Sequence, residues 1–245
     1  MKKLFFMVSF VFVFAAASFA ETAGIRAWGG YTTLNMGKIN EHVVDIYEDS
    51  DADEKKKQEF AGSYIIGADT LVHLGMGFNL GARISYIGDS EAFLSGEDTS
   101  TDDTEKYSLT ASLTSIMGGL VYRMVIPATP VKIGAGAFAG YGLGGGSLSH
   151  TGVHSGTEFD ESVAFGGGAL AADICGEVEY VVSETFSFGI TAGYRIAEIA
   201  EMKTTEANSE LGYEKDEVFT EMDSDTVLPF DFGGFEAGVQ ITLTY

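Results

Sequence analysis

The 245-residue sequence is poor in the things that build most soluble enzymes. It has one cysteine, Cys175, so no intramolecular disulfide can form even in an oxidising compartment. It has three prolines. It has few bases: 14 Lys and Arg against 36 Asp and Glu, a formal net charge of −22. So acidic a chain does not bind nucleic acid through its phosphates. Past residue 20 no run has the length and polarity of a spanning helix, which needs about 20 apolar residues.

What is present begins with a leader. Lys2 and Lys3 precede an apolar stretch of 14 residues, Leu4 to Ala17, broken only by Ser9. Ser18-Phe19-Ala20 then places small residues at −3 and −1 of a cleavage site. This is the layout of a secretory signal peptide, and the stretch is too short to anchor the chain. Residues 1–20 are therefore expected to be removed, leaving a single domain over 21–245. Removal of Lys2 and Lys3 leaves 12 bases against 36 acids, a mature charge of −24.

The mature chain has a period of two, and its glycine content, 32 residues, is well above the usual ~7%. In the last segment Phe235, Ala237, Val239, Ile241, Leu243 and Tyr245 alternate with Glu236, Gly238, Gln240, Thr242 and Thr244. Successive strand side chains point to opposite faces, so this strand has one oily side and one wet side. The same alternation runs from Phe186 to Ala197, from Val131 to Leu143 and from Phe78 to Tyr86. Four less regular segments, about Gly24–Leu34, Phe60–His73, Ser108–Ile126 and Val163–Val182, complete a set of eight. In Ser108–Ile126 the apolar residues change phase near Ser115–Ile116, which predicts a β-bulge there.

Connection lengths alternate too. Leu74-Gly75-Met76, Pro127-Ala128-Thr129-Pro130 and Ser183-Glu184-Thr185 are tight turns. Between them lie long polar connections at about 38–59, 88–107, 144–162 and 198–232. Short turns at one end and long loops at the other are the plan of a bacterial outer-membrane barrel, the short turns facing the periplasm. Tyr31, Tyr64, Tyr86, Tyr122, Tyr141, Tyr180, Tyr194, Phe186 and Tyr245 fall near strand ends, where aromatic girdles meet the two interfaces. The expected fold is all-β: an antiparallel up-and-down transmembrane barrel of eight strands. Ten is the alternative, if Leu211–Thr220 and Thr226–Phe232 form an additional hairpin. Segments 108–126 and 163–182, at about 19 residues, exceed the 9–11 that a spanning strand needs, so they should project beyond the membrane.

On these features residues 24–245 resemble the eight-stranded outer-membrane barrel superfamily, the OmpA transmembrane domain, OmpX and their relatives. The last strand, with alternate apolar residues and a terminal aromatic, looks like the signal read by the outer-membrane insertion machinery. The resemblance implies a bacterial outer-membrane location and contact with outer-membrane lipid and lipopolysaccharide. It is one of architecture, so it implies little about activity. No peptidoglycan-binding domain is expected after Tyr245, unlike full-length OmpA proteins.

The inward phase of the strands collects Arg26, Asp69, Arg83, Arg123, Lys132, Asp173, Glu177, Glu179, Arg195 and Glu236: five bases and five acids. Uncompensated charge in a narrow lumen is costly, so these groups should pair. Arg195 lies nine residues above Phe186 and Glu236 nine above Tyr245, so they should meet at one height. Arg123 and Lys132 should join Glu177 and Glu179. A lumen so filled disfavours an open pore and an acyl-chain pocket, since eight strands enclose just enough room for side chains.

Candidate chemistry outside the lumen is weak. Residues 198–232 hold eleven acids. Asp49, Asp51 and Asp53 match the first ligand positions of an EF-hand loop, but Glu54 and Phe60 stand where Gly and Glu are required, so no metal site is assigned. Solvated, mutually repelling loops are the plainer reading, with weak cation binding or bridging to lipopolysaccharide phosphates as the alternative. Gly134-x-Gly136-x-x-x-Gly140 and Gly144-Gly145-Gly146 lack the following helix that a phosphate loop needs; wall glycines that make room for Phe138 or Trp28 are expected instead. His42, His150 and His154 fall in outer loops with Ser147, Ser149 and Ser155, in no spacing of a known barrel hydrolase. His73 is at a turn. Cys175 is expected as a small buried residue. No cofactor is implied. The expected function is a structural or surface-interaction barrel without catalysis, with an extracellular protein or surface ligand as partner. A lipid A-modifying or proteolytic barrel enzyme and a small pore are the alternatives.

Overall fold

The computed structural model describes residues 23–49, 54–98, 103–220 and 226–245. The expected leader at 1–20, most of the acidic run 49–54 and Asp102 lie outside the described residues. Eight long strands form the wall: β1 (Ala23–Thr33), β3 (Gly62–Gly75), β4 (Phe78–Asp98), β5 (Asp103–Val125), β6 (Val131–His154), β7 (Thr157–Val181), β8 (Phe186–Ile199) and β11 (Gly234–Thr244). Short strands β2 (Glu54–Gln58), β9 (Lys203–Thr204) and β10 (Phe230–Asp231) and one helix, α1 (Gly37–Asp49), lie in the connections. Every neighbouring wall pair is antiparallel, and β11 closes onto β1 from Gly24–Thr244 to Thr32–Glu236. The closure removes the free edges that a sheet in hydrocarbon could not satisfy. At the rim, Tyr245 and Ala23 exchange backbone hydrogen bonds of 2.9 and 3.1 Å.

One end of the cylinder carries the tight turns. Gly75, Met76 and Gly77 all take positive φ (104°, 50° and 85°), so the turn depends on flanking glycines that adopt this region without steric cost. The other end carries the long connections, but two of these are not loops. The stretches expected as loops at 88–107 and 144–162 are hairpins that continue β4–β5 and β6–β7 well past the other strands. The segments expected to project, 108–126 and 163–182, belong to strands of 23 and 25 residues.

The exterior is apolar in one band. Along β6 it runs from Ile133 to Leu143, which at ~3.3 Å per residue and a tilt of about 40° spans about 25 Å, the height of an outer-membrane hydrocarbon belt. Aromatic rings rim it. Tyr31, Tyr64, Tyr86, Tyr141, Tyr194 and Phe235 mark the upper edge; Phe78, Tyr122, Tyr180, Phe188 and Tyr245 the lower. Several meet across strands, as Phe78–Tyr122 (5.0 Å) and Tyr194–Phe235 (4.9 Å) do.

The expected bulge in 108–126 is not there: β5 pairs with β6 without a break from Thr104 to Val125. Leu109, Ala111, Leu113, Ser115, Met117 and Val121 all point inward. The apolar residues change phase because the surroundings change. Within the belt the oily face looks out at lipid; above it the oily face looks in, as in a soluble sheet. The irregularity lies instead in β4, between Ile87 and Ser90, and it shifts that strand's inward residues from odd to even numbers.

Above the belt an apolar plug fills the mouth. Phe165, Leu113, Ala111 and Ile199 from the wall meet Met202, Phe219, Leu228, Phe230 and Phe232 from the last long connection. Met36, just before α1, and Ile39 and Val43 on it join them, the last two spaced one helical turn apart on one face. Asn40 fixes Phe60 by accepting from its N–H and donating to its carbonyl, both at 2.8 Å. Gly144 and Gly167 face this plug; a Cβ there would stand 2.7 Å from the Met202 methyl and 2.8 Å from Ile199. The alternative tenth-strand hairpin is not part of the wall: among the described residues, 203–232 contribute only short pairings over the mouth.

Candidate functional site

The lumen below the plug is the most concentrated chemistry in the molecule. Each of the eight wall strands aims at least one charged side chain inward, because period-two alternation places them on the concave face. Glu179, low in the barrel, accepts from Arg123 (3.1 Å), Gln240 (2.8 Å) and Thr242 (2.6 Å). Arg123 also contacts Glu177, and Glu177 contacts Arg26. Arg26 donates to Asp69 through Nε at 2.6 Å. Asp69 accepts as well from Arg83 (2.9 and 3.1 Å) and from the Trp28 indole (3.3 Å). Arg83 reaches Asp173 at 2.6 Å; Arg195 lies 3.7 Å from Asp173 and 2.7 Å from Glu236. Acid and base alternate through nine residues, from Glu179 at the lower mouth to Glu236 under the plug.

All of these side chains but Arg123, which is part-buried at the lower mouth, are buried: Arg195 is 0% exposed, and Arg26, Asp69 and Asp173 are 1% exposed. Phe138 packs among them, its ring 3.9 Å from the Arg83 guanidinium. A Cβ on Gly81, Gly119 or Gly136 would lie 2.9, 2.6 or 3.1 Å from that ring, and one on Gly67 would run into Trp28. The wall glycines thus give lumen space to two large aromatics. Inside, ions are paired; outside, hydrocarbon-facing residues form a band; no free edge remains within it.

The chain is a transmembrane β-barrel.

The barrel matches no family model and no curated protein. Several solved structures are similar to it. OprG from Pseudomonas aeruginosa has a TM-score of 0.45 and 11% identity, over 92% of this chain and 96% of that one. The outer membrane protease OmpT from Escherichia coli gives 0.39 and 9%, over 93% and 98%. Ail, the attachment invasion locus protein of Yersinia pestis, gives 0.37 and 10%, over 91% and 98%.

All ten inward charges expected from the alternation lie on the inner wall of the barrel, and Arg195 meets Glu236. One expected contact is not made. Lys132 stands opposite Glu179 in register, but among the described residues no ion pair joins it to Glu179 or Glu177; Arg123, Gln240, Thr242 and Ser187 occupy that carboxylate. Cys175 is inward and 6% exposed, with Sγ 3.7 Å from Arg83. The upper end of the chain is less fully satisfied, since Asp173 Oδ1 and Arg195 Nε and Nη1 have no protein partner.

The outer histidines are dispersed. His150 stacks on Tyr107 (4.1 Å) and meets Phe159 edge-on (4.7 Å). His154 is at a hairpin tip with Nδ1 3.1 Å from Asp103. Ser147 pairs with Thr110, and Ser149 donates to the Ser108 carbonyl. Among the described residues no three His, Cys, Asp or Glu side chains gather as a metal cluster. Outside the belt, Glu91 accepts from Ser108 (2.6 Å) and Lys106 (3.0 Å), and these contacts hold its carboxyl below the usual range.

The projection of 108–126 and 163–182 was expected; what sequence reasoning missed is α1, β2 and the continuation of the strands through 88–107 and 144–162. Lys55-Lys56-Lys57 in an otherwise acidic chain was a usable signal for an exposed strand.

Proposed function

We propose that this barrel is a sealed, non-catalytic protein of the cell surface, working through the sheet and loops that project from the membrane. Its belt stands in outer-membrane lipid and lipopolysaccharide. Its last strand, apolar at alternate positions and closed by an aromatic, is what the insertion machinery engages. The short turns then face the periplasm and the extended hairpins the exterior.

The observation that carries this reading is the lumen. A linked set of nine charged side chains fills it, Trp28 and Phe138 pack within it, and an apolar plug covers its upper mouth. A conducting pore needs a continuous wet path, and a lipid-modifying enzyme needs an acyl pocket beside a nucleophile and base. Material is invested instead above the belt, in two hairpins that spanning does not require.

Planar-bilayer recording of the refolded barrel tests the seal: no unitary conductance is expected, and regular openings overturn the reading. Mass spectrometry of lipid A with and without expression, together with cleavage of a peptide library, tests the absence of catalysis. A modified lipid A or a cut peptide overturns it.

A further inference from the structure

Above the belt the outward face of the wall changes its chemistry. Along β5 the outward positions are Thr114, Ser112, Thr110, Ser108, Lys106 and Thr104, all but one of them hydroxyls. Ser147, Ser149 and Thr151 of β6 stand beside them. These side chains are short, so the face is nearly flat, and each hydroxyl both donates and accepts. The spans 88–95, 107–115, 143–150 and 161–170, which rise from the belt on β4 to β7, contain no lysine and no arginine. The face therefore offers hydrogen bonds without offering a phosphate site.

At the top of this face lies a shallow groove of about 260 Å³. The strand pairings make its two walls. One is the row Lys56, Ser95, Lys106, Thr151; the other is the row Glu54, Glu97, Thr104. Rows two residues apart stand about 6.6 Å from each other, and backbone at Gly96 and Gly152 forms the floor. Lys106 is already engaged, 3.0 Å from Glu91 and over the Phe93 ring at 4.7 Å. Among the described residues the side chains of Lys56, Ser95, Glu97, Thr104 and Thr151 make no hydrogen bond to the protein. One ammonium then faces two carboxylates, a setting that repels an anion but can hydrogen-bond a polyol from both sides.

Position narrows the occupant. From Ile116 at the belt edge to Lys106 the wall rises about 25 Å, at ~3.3 Å per residue and a tilt of about 40°. A wall face turned outward at that height looks along the membrane plane. What stands beside it in the same leaflet is the saccharide carried by lipopolysaccharide.

We propose that this face docks the neutral saccharide chain of a neighbouring lipopolysaccharide, which lies along the β5 hydroxyls and passes through the groove. This rests on reading the projecting sheet as the working surface, and it makes the partner a polyol chain rooted in the same membrane, held by its sugars and not by its phosphates.

The test uses the full mature barrel in three kinds of phosphatidylcholine vesicle: with lipopolysaccharide of full saccharide length, with lipid A alone, and with neither. A photoactivated benzophenone side chain replaces Thr151 in one chain and Glu105 in another; Glu105 stands at the same height on the opposite face of the sheet. Irradiation is expected to attach lipopolysaccharide to the first chain about tenfold more than to the second, and to attach lipid A alone to neither. Saccharide released from the lipopolysaccharide by mild acid, added in excess, is expected to abolish the adduct. Joint Glu54→Ala, Glu97→Ala and Thr104→Ala is expected to lower it about tenfold, the order for losing a few solvated hydrogen bonds. A heat-dependent gel shift in every variant establishes that the barrel has formed; if the triple variant loses it, the comparison of positions 151 and 105 decides. Equal adducts at the two positions, an adduct with lipid A alone, or equal competition by an unrelated soluble polysaccharide overturns the proposal. Conductance or catalysis from a barrel that still captures the saccharide overturns the sealed, non-catalytic reading and leaves this one standing.

Discussion

The embedded and projecting parts of β5 differ in which face carries their apolar residues. In the belt Ile116, Leu120, Tyr122 and Met124 face out, and Ser115, Gly119 and Arg123 face in, with Met117 and Val121 packed between them. Above it Leu109, Ala111 and Leu113 face in, and Thr110 and Ser112 face out. The backbone alternation never changes; the solvent does. Hydrocarbon outside selects an oily exterior and leaves the interior to paired ions, whereas water outside selects a polar exterior and an oily interior.

The sharpest way to break this contrast is to unbalance the ions. Asp69→Leu removes the carboxylate that Arg26 and Arg83 share, leaves Glu177 and Asp173 as their remaining partners and an excess buried cation, and is expected to cost about 4 kcal/mol, within the range for breaking a buried pair. The urea midpoint of the vesicle-bound barrel, read by gel shift, checks it. The plug should fail differently. Phe230→Ala removes a ring that touches Phe165 and Phe219 and is expected to cost about 4 kcal/mol. Protease should then cut within 198–232 while the gel shift of the embedded wall persists. An exterior probe separates the two solvents directly. Leu120→Arg in the belt is expected to cost about 3 kcal/mol, whereas Thr151→Lys on the projecting sheet should stay within about 0.5 kcal/mol in the same titration.

The smallest effect is one of pH. Because its Ser108 and Lys106 contacts lower the folded-state pKa of Glu91, their contribution is present above the unfolded carboxyl pKa. It is lost as pH falls through the folded value. The pair is solvent-exposed, so the contribution is a few tenths of a kcal/mol. Stability of the wild type and of Glu91→Gln should differ by that amount at neutral pH and converge in acid; a difference that persists in acid contradicts the assignment.

The belt and lumen were legible in the sequence because period two and paired charge are local signals. Arg195 and Glu236 could be matched by counting nine residues from each strand's lower end. The upper half resisted for two reasons. Its strands are rich in Gly, Ser, Thr and acids, as at Gly144–Ser149, so they read as loop until the neighbouring hairpin is known. The reversal of the oily face at Ser115 reads as a break in a strand that has none. Lys132 was misassigned because register fixes height but not which of several donors wins a carboxylate; Arg123, with a forked head, does.

The nine linked charges also constrain how the cylinder is made. Arg26 and Glu177 are 151 residues apart, and the set draws on every wall strand except β6. The β3–β4 hairpin can pair Asp69 with Arg83 on its own, but β1, with Arg26 facing inward, would carry a bare cation into oil if it entered by itself. Assembly must therefore keep the concave side wetted until the seam between β1 and β11 draws together, and dehydrate the ions as the circle shuts. A catalyst of insertion would have to hold open a hydrated cradle and release the sheet only as a finished tube.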